Sequence, residues 1–137
     1  MTDKQETKRA WLHRARTTEK YVQALKEKVV QYEELEKSLL IFDDLASEKI
    51  VQKLQRNIQE QQRKIEELST VREKIQGAIK SVCDDTLQEI LTRHYLLYET
   101  IDVIFEKMHY DRRSIQRKHK QALDKIVMHK VKGESVE

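Results

Sequence analysis

Apolar side chains return every three or four positions through the first eighty residues, with Lys, Glu and Gln between them. That period predicts helices with one buried stripe. The first is expected from about Lys8 to Leu40, with contacts at Trp11, Ala15, Thr18, Val22, Leu25, Val29, Tyr32, Leu35 or Glu36, and Leu39. Its spacing resembles a coiled-coil seam with polar interruptions. Residues 1–7 are polar and read as a frayed end, and Trp11 as a terminal packing residue. Ile41–Ser47 is the best break, with Asp43, Asp44 and Ser47 able to cap a new helix. This second helix carries Val51, Leu54, Ile58, Ile65, Leu68, Val71, Ile75, Ile79 and Val82, with Gln61 interrupting the seam and Gly77 marking a bend or a close approach. A lone helix would leave such a stripe in water. An antiparallel hairpin or pairing with a second chain is therefore expected, and the favoured arrangement is a hairpin that also contributes to a homo-oligomer.

Beyond Ser81 the elements shorten. Asp85, three residues before Gln88, is expected to open a helix carrying Leu87, Ile90, Leu91, Tyr95 and Leu97. Thr100 caps a short helix with Ile101, Ile104, Phe105 and Met108 inward, and His109 and Tyr110 form the next connection. Asp111 then starts a longer helix toward Lys130, packed through Ile115, Ala122, Leu123, Ile126 and Val127. The chain thus reads as all-α. A long helical hairpin or coiled-coil region over 8–82 precedes a three-helix, helix-turn-helix domain over 84–132.

Composition agrees with that fold: there is no proline, there are only two glycines, and hydrophobic and charged residues are balanced at 38% and 37%. Cys83 is the only cysteine, so neither an intrachain disulfide nor a cysteine-based zinc cluster is expected. No stretch has the apolar length of a membrane span, and the N-terminus lacks a signal peptide's apolar core. A soluble, cytoplasmic protein that avoids membranes is the expectation. The formal charge of +3 is unevenly distributed. Residues 84–109 hold six acids and two bases, whereas Tyr110–Lys132 holds eight bases and two acids, a net +6.

A basic helix at the end of a helix-turn-helix suits the DNA major groove. Arg112, Arg113, Gln116, Arg117 and Lys120 share its exposed side. At least one of Arg112 and Arg113 is expected at guanine N7 and O6, with the other on phosphate. Gln116 suits adenine, and Arg117 and Lys120 suit the backbone. Solvation and pairing with carboxylates are the plainer roles for the same residues. The acids Asp84, Asp85, Glu89, Glu99, Asp102 and Glu106 motivate a second function class, a coiled-coil adaptor that modulates RNA polymerase or another transcription protein. Catalysis is not expected, because no nucleotide-binding loop, nucleophile triad or metal spacing is present. Asp84 and Asp85 read as helix caps, His94 and His109 as surface or turn residues, and no cofactor or metal is implied.

RHY at 93–95, IDVIFEKMHYDRRSI at 101–115 and HKQAL at 119–123, after the long heptad-bearing region of about residues 20–82, carry a family resemblance. The chain resembles the late-transcription-regulator-like proteins of phages and mobile elements, whose C-terminal domain is similar to the promoter-reading region 4 of sigma factors. The likeness implies a bacterial-host regulator acting on double-stranded promoter DNA, with its recognition helix beginning at Asp111. It carries the cap and early groove-facing roles over to Asp111, Arg112, Arg113 and Gln116, continues that face through Arg117 and Lys120, and gives Ile115, Leu123 and Ile126 structural roles. The chain departs from the family pattern at Phe105, where alanine is frequent, at His109, where glycine is, and at Tyr98, where a small residue is.

Overall fold

The computed structural model describes residues 1–128, which form five α-helices and no strand. They are α1 (Asp3–Leu39), α2 (Leu45–Lys80), α3 (Asp85–Leu91), α4 (Ile101–Met108) and α5 (Arg112–Lys125), with a π-helical turn, Thr92–Leu96, following α3. Contacts divide the described residues into two compact units, residues 19–69 and a second formed by Met1–Thr18 together with residues 70–128.

In the 19–69 unit, α1 ends at Leu39 and α2 starts at Leu45. Asp44 caps α2 by accepting the Ser47 amide at 2.7 Å, and that bond holds its carboxyl below the usual range. Val22, Leu25, Val29, Val51 and Leu54 are buried. Gln55 Nε2 donates to Glu36 Oε1 at 3.1 Å, from one helix to the other. Near the turn the seam follows Glu36, which is half-buried, and leaves Leu35 exposed. Leu40, Ile41, Phe42 and Leu45 are also exposed.

The second unit has the larger core. Trp11, Leu12 and Ala15 of α1 pack with Val71, Ile75, Ala78 and Ile79 of α2, and with Leu87, Leu91, Tyr95, Ala122 and Leu123 from the shorter helices. Trp11 is thus a core residue. A smaller cluster, Ile90, Ile104 and Ile115, pins α3, α4 and α5 together, with Ile101, Phe105 and Met108 against it. α2 runs through Gly77 without a break, and a Cβ there would meet nothing within 4 Å. Gly77 therefore neither ends the helix nor permits a close approach.

Several boundaries differ from expectation. α1 begins at Asp3 because Thr2 and Gln5 cap it reciprocally. The Gln5 amide donates to Thr2 Oγ1 at 3.2 Å and the Thr2 amide to Gln5 Oε1 at 3.0 Å. α3 is capped by Asp84, which accepts the Leu87 amide at 3.0 Å, rather than by Asp85. Gln88 instead turns back, and its Nε2 donates to the Ile79, Lys80 and Val82 carbonyls at 3.3, 2.9 and 3.3 Å, closing the end of α2. Leu97 and Val127 are exposed and do not join the core. α5 stops at Lys125, and Ile126 leaves it with an extended backbone while remaining buried. Lys130 and Lys132, expected at the end of the basic region, lie outside the described residues.

Candidate nucleic-acid interface

α5 is built by three local devices. Asp111 accepts the Ser114 amide at 2.7 Å and opens the helix. This bond, aided by Arg117 and Arg113, holds the Asp111 carboxyl below its usual range. His109, at φ 60° and ψ 32°, ends α4 in the left-handed conformation, and α5 begins after a three-residue connection. Ile115, His119, Ala122 and Leu123 form the buried stripe.

Every residue expected on the DNA face, Arg112, Arg113, Gln116, Arg117 and Lys120, is exposed. Their environments differ. At 100° per residue, Arg113, Arg117 and Lys120 point away from the buried stripe, Gln116 flanks it, and Arg112 falls on the stripe's own side in the first turn, where it is exposed. Arg112 Nη2 reaches Asp102 Oδ1 of α4 at 2.7 Å, an ion pair in which both side chains are 61% exposed. Lys118 lies over the Tyr110 ring, 5.3 Å from its centre.

Most of the acids between 84 and 109 have partners inside this unit. Asp84 is a cap, Glu89 pairs with Arg93 at 2.7 Å, and Asp102 holds Arg112. Glu99 joins Arg93 at 3.3 Å and Lys107 at 2.7 Å, tying the π-turn to α4. Lys107 first, then Arg93, hold the Glu99 carboxyl below its usual range.

Two features were not expected from the sequence. The first is the start of α1, which docks on α5. Gln5, only 7% exposed, donates through Nε2 to Asp124 Oδ1 at 2.9 Å and to the Lys120 carbonyl at 3.4 Å, and Lys8 Nζ reaches the Asp124 carbonyl at 3.1 Å. The Thr2-x-x-Gln5 capping pattern is the signal that this segment is helical. The second is a cluster of His13, His94, His119 and Tyr95, with neighbouring ring centres 4.7–5.7 Å apart. The Tyr95 hydroxyl and His119 Nε2 share a buried 2.6 Å hydrogen bond. His94 Nδ1 donates to the Glu99 carbonyl at 2.8 Å, which fixes the proton on that nitrogen. The π-turn, in which the Leu97 amide donates to Thr92 O at 3.0 Å, carries both His94 and Tyr95. Burial, then His94, Arg9 and His13, push the His119 pKa down to about 4. His13 is lowered for similar reasons, burial first, and burial raises the Tyr95 hydroxyl. His119 sits at helical spacing with Ile115 and Leu123, but a histidine in a basic run reads as surface when its partners are unknown.

Among the described residues no group of three or more His, Cys, Asp or Glu is placed to hold a metal ion, and no helix is long and apolar enough to cross a membrane. Comparison with protein-family models, curated proteins and solved structures finds no match.

Proposed function

We propose that the chain is a sequence-specific, double-stranded DNA-binding transcription regulator of a phage or mobile genetic element, acting in a bacterial host's cytoplasm. In this reading α3–α5 form a region-4-like helix-turn-helix domain, and the long helices form a hairpin extension that also suits pairing with a second copy. The observation that carries it is the exposed basic strip of α5, held by a rigid apolar stripe and a tight three-residue connection to α4. Arg113 is the first choice for a base edge, with Gln116 beside it, and Arg117 and Lys120 serve phosphates. Arg112 acts after exchanging Asp102 for DNA, since so exposed an ion pair contributes only roughly 0–1 kcal/mol.

Selection of duplex DNA by the purified protein, at stated salt, tests this. A common motif should emerge, and Arg113→Ala should relax preference at one position with folding unchanged. Lys120→Ala should weaken all sequences alike and lower the salt slope by about one. Selected duplexes that share no motif would reject the proposal.

A second reading, an adaptor that modulates RNA polymerase, draws on a different observation. Leu40, Ile41, Phe42 and Leu45, 59–81% exposed, crowd the turn of the 19–69 unit, an apolar patch of the kind that marks protein contacts. Retention of RNA polymerase by the protein, without sequence-selective DNA binding, would put this reading first.

A further inference from the structure

A cleft of about 420 Å³ opens where the first turns of α1 meet α5, lined by Arg9, His94, Ile101, Gln116, His119 and Lys120. Its polar side chains are cations, imidazoles and one amide, and among the described residues no carboxylate lines it. Arg9 reaches the cleft because Gln5, Arg9 and His13 recur every four residues along one strip of α1, and Gln5 anchors that strip to Asp124 and Lys120 of α5. The carboxylate partner of Arg9 is Glu6, at a loose 3.6 Å between side chains 43% and 54% exposed, so the guanidinium can exchange it for a ligand at little cost. His94 has Nδ1 committed to the Glu99 carbonyl, leaving Nε2 as its free ring nitrogen.

From this juxtaposition we infer that the cleft is an oxyanion site that takes a phosphate group. Arg9 and Lys120 supply charge from two helices, Gln116 supplies an amide donor, and the His94 ring lines the same space. Guanidinium, ammonium and amide groups lining one space match the acceptor oxygens of phosphate. The groups facing His94 are His13 from α1, His119 from α5 and its neighbour Tyr95, all without negative charge. The phosphate can belong to a nucleic-acid backbone or to a small phosphorylated molecule. Base recognition is a separate matter, because Arg113 and Arg117 are outside the cleft.

Imidazole NMR of the full chain at pH 6.5, titrated with inorganic phosphate against sodium chloride of equal ionic strength, provides the test. The His94 resonances should shift saturably with phosphate and not with chloride. Arg9→Ala and, independently, Lys120→Ala should each weaken that binding roughly tenfold or more, the loss expected of a charge-assisted hydrogen bond. The double variant Arg113→Ala/Arg117→Ala should retain it, even where duplex binding is lost. Displacement of phosphate by a duplex oligonucleotide would identify a backbone phosphate as the occupant. Displacement by a nucleoside monophosphate, but not by duplex, would identify a small phosphorylated ligand. Shifts no larger than with chloride, or undiminished affinity in both single variants, would overturn the inference.

Discussion

Single residues in this chain depart from the ordinary preferences of their positions, and at Gly77, His109 and His119 the departure has a measurable consequence. Gly77 lies inside α2 with open space where a side chain would go. Gly77→Ala should raise stability by about 1 kcal/mol in denaturant unfolding, because alanine loses less backbone entropy and meets no obstacle. His109 holds a left-handed conformation that costs an L-residue roughly 1–2 kcal/mol. His109→Gly should therefore stabilise the unit by about 1 kcal/mol, read as a higher urea midpoint. His119 stays neutral in its buried site while an unfolded histidine titrates near 6.5. Its folded pKa is the lower of the two, so the unfolded state binds the proton first. Stability should be level above pH 7, fall as pH drops below about 6.5, and level off near pH 4. The shift corresponds to a loss on the order of 3 kcal/mol across that window. Urea unfolding across pH 4–7 checks this, and His119→Gln should flatten the profile. Tyr98 is the other non-glycine residue at positive φ among those described, with the Arg16 guanidinium 5.4 Å from its ring centre.

At the scale of elements, helix type and order were legible because apolar period and capping chemistry are local. Thr100, Asp111 and Asp44 cap the helices expected of them, accepting amides at 3.4, 2.7 and 2.7 Å. Element ends were less legible wherever a side chain had two uses. Asp84 and Asp85 are both competent caps, and Gln88 selects between them by reaching back to α2 instead of to its own helix. The π-turn after α3 has no signal in residue periodicity. It lets Tyr95 enter the core with Leu96 packed against it, while Leu97 remains in water. α5 ends at Lys125, although the apolar pattern continues to Val127, because Ile126 finds its buried site from an extended backbone.

At the scale of the molecule, the contact that reshapes the candidate interface joins residues more than a hundred positions apart. Asp124 accepts from Gln5 Nε2 through its side chain and from Lys8 Nζ through its carbonyl. Asp124→Ala should cost about 1–2 kcal/mol, since the nearly buried Gln5 amide keeps only its longer bond to Lys120 O. Faster hydrogen exchange over residues 3–9, with α4 unchanged, is the accompanying signature. The start of α1 thereby flanks the C-terminal half of α5, while Arg113 and Arg117 near its N-terminus stay open. Any duplex docked along α5 must accommodate α1 beside Lys120, or contact it through Arg9.

By itself the sequence determined the all-helical class, the succession of long and short helices, and the exposed side of α5. Those follow from which residues must leave water within a few turns of one another, a property of near neighbours in the chain. Tertiary structure alone decided that Thr2 and Gln5 begin a docked helix, that His13, His94 and His119 meet around Tyr95, and that Arg9 faces Lys120. Each pairing depends on where distant segments come to lie, and polar side chains gain defined partners only once apolar burial has set those distances.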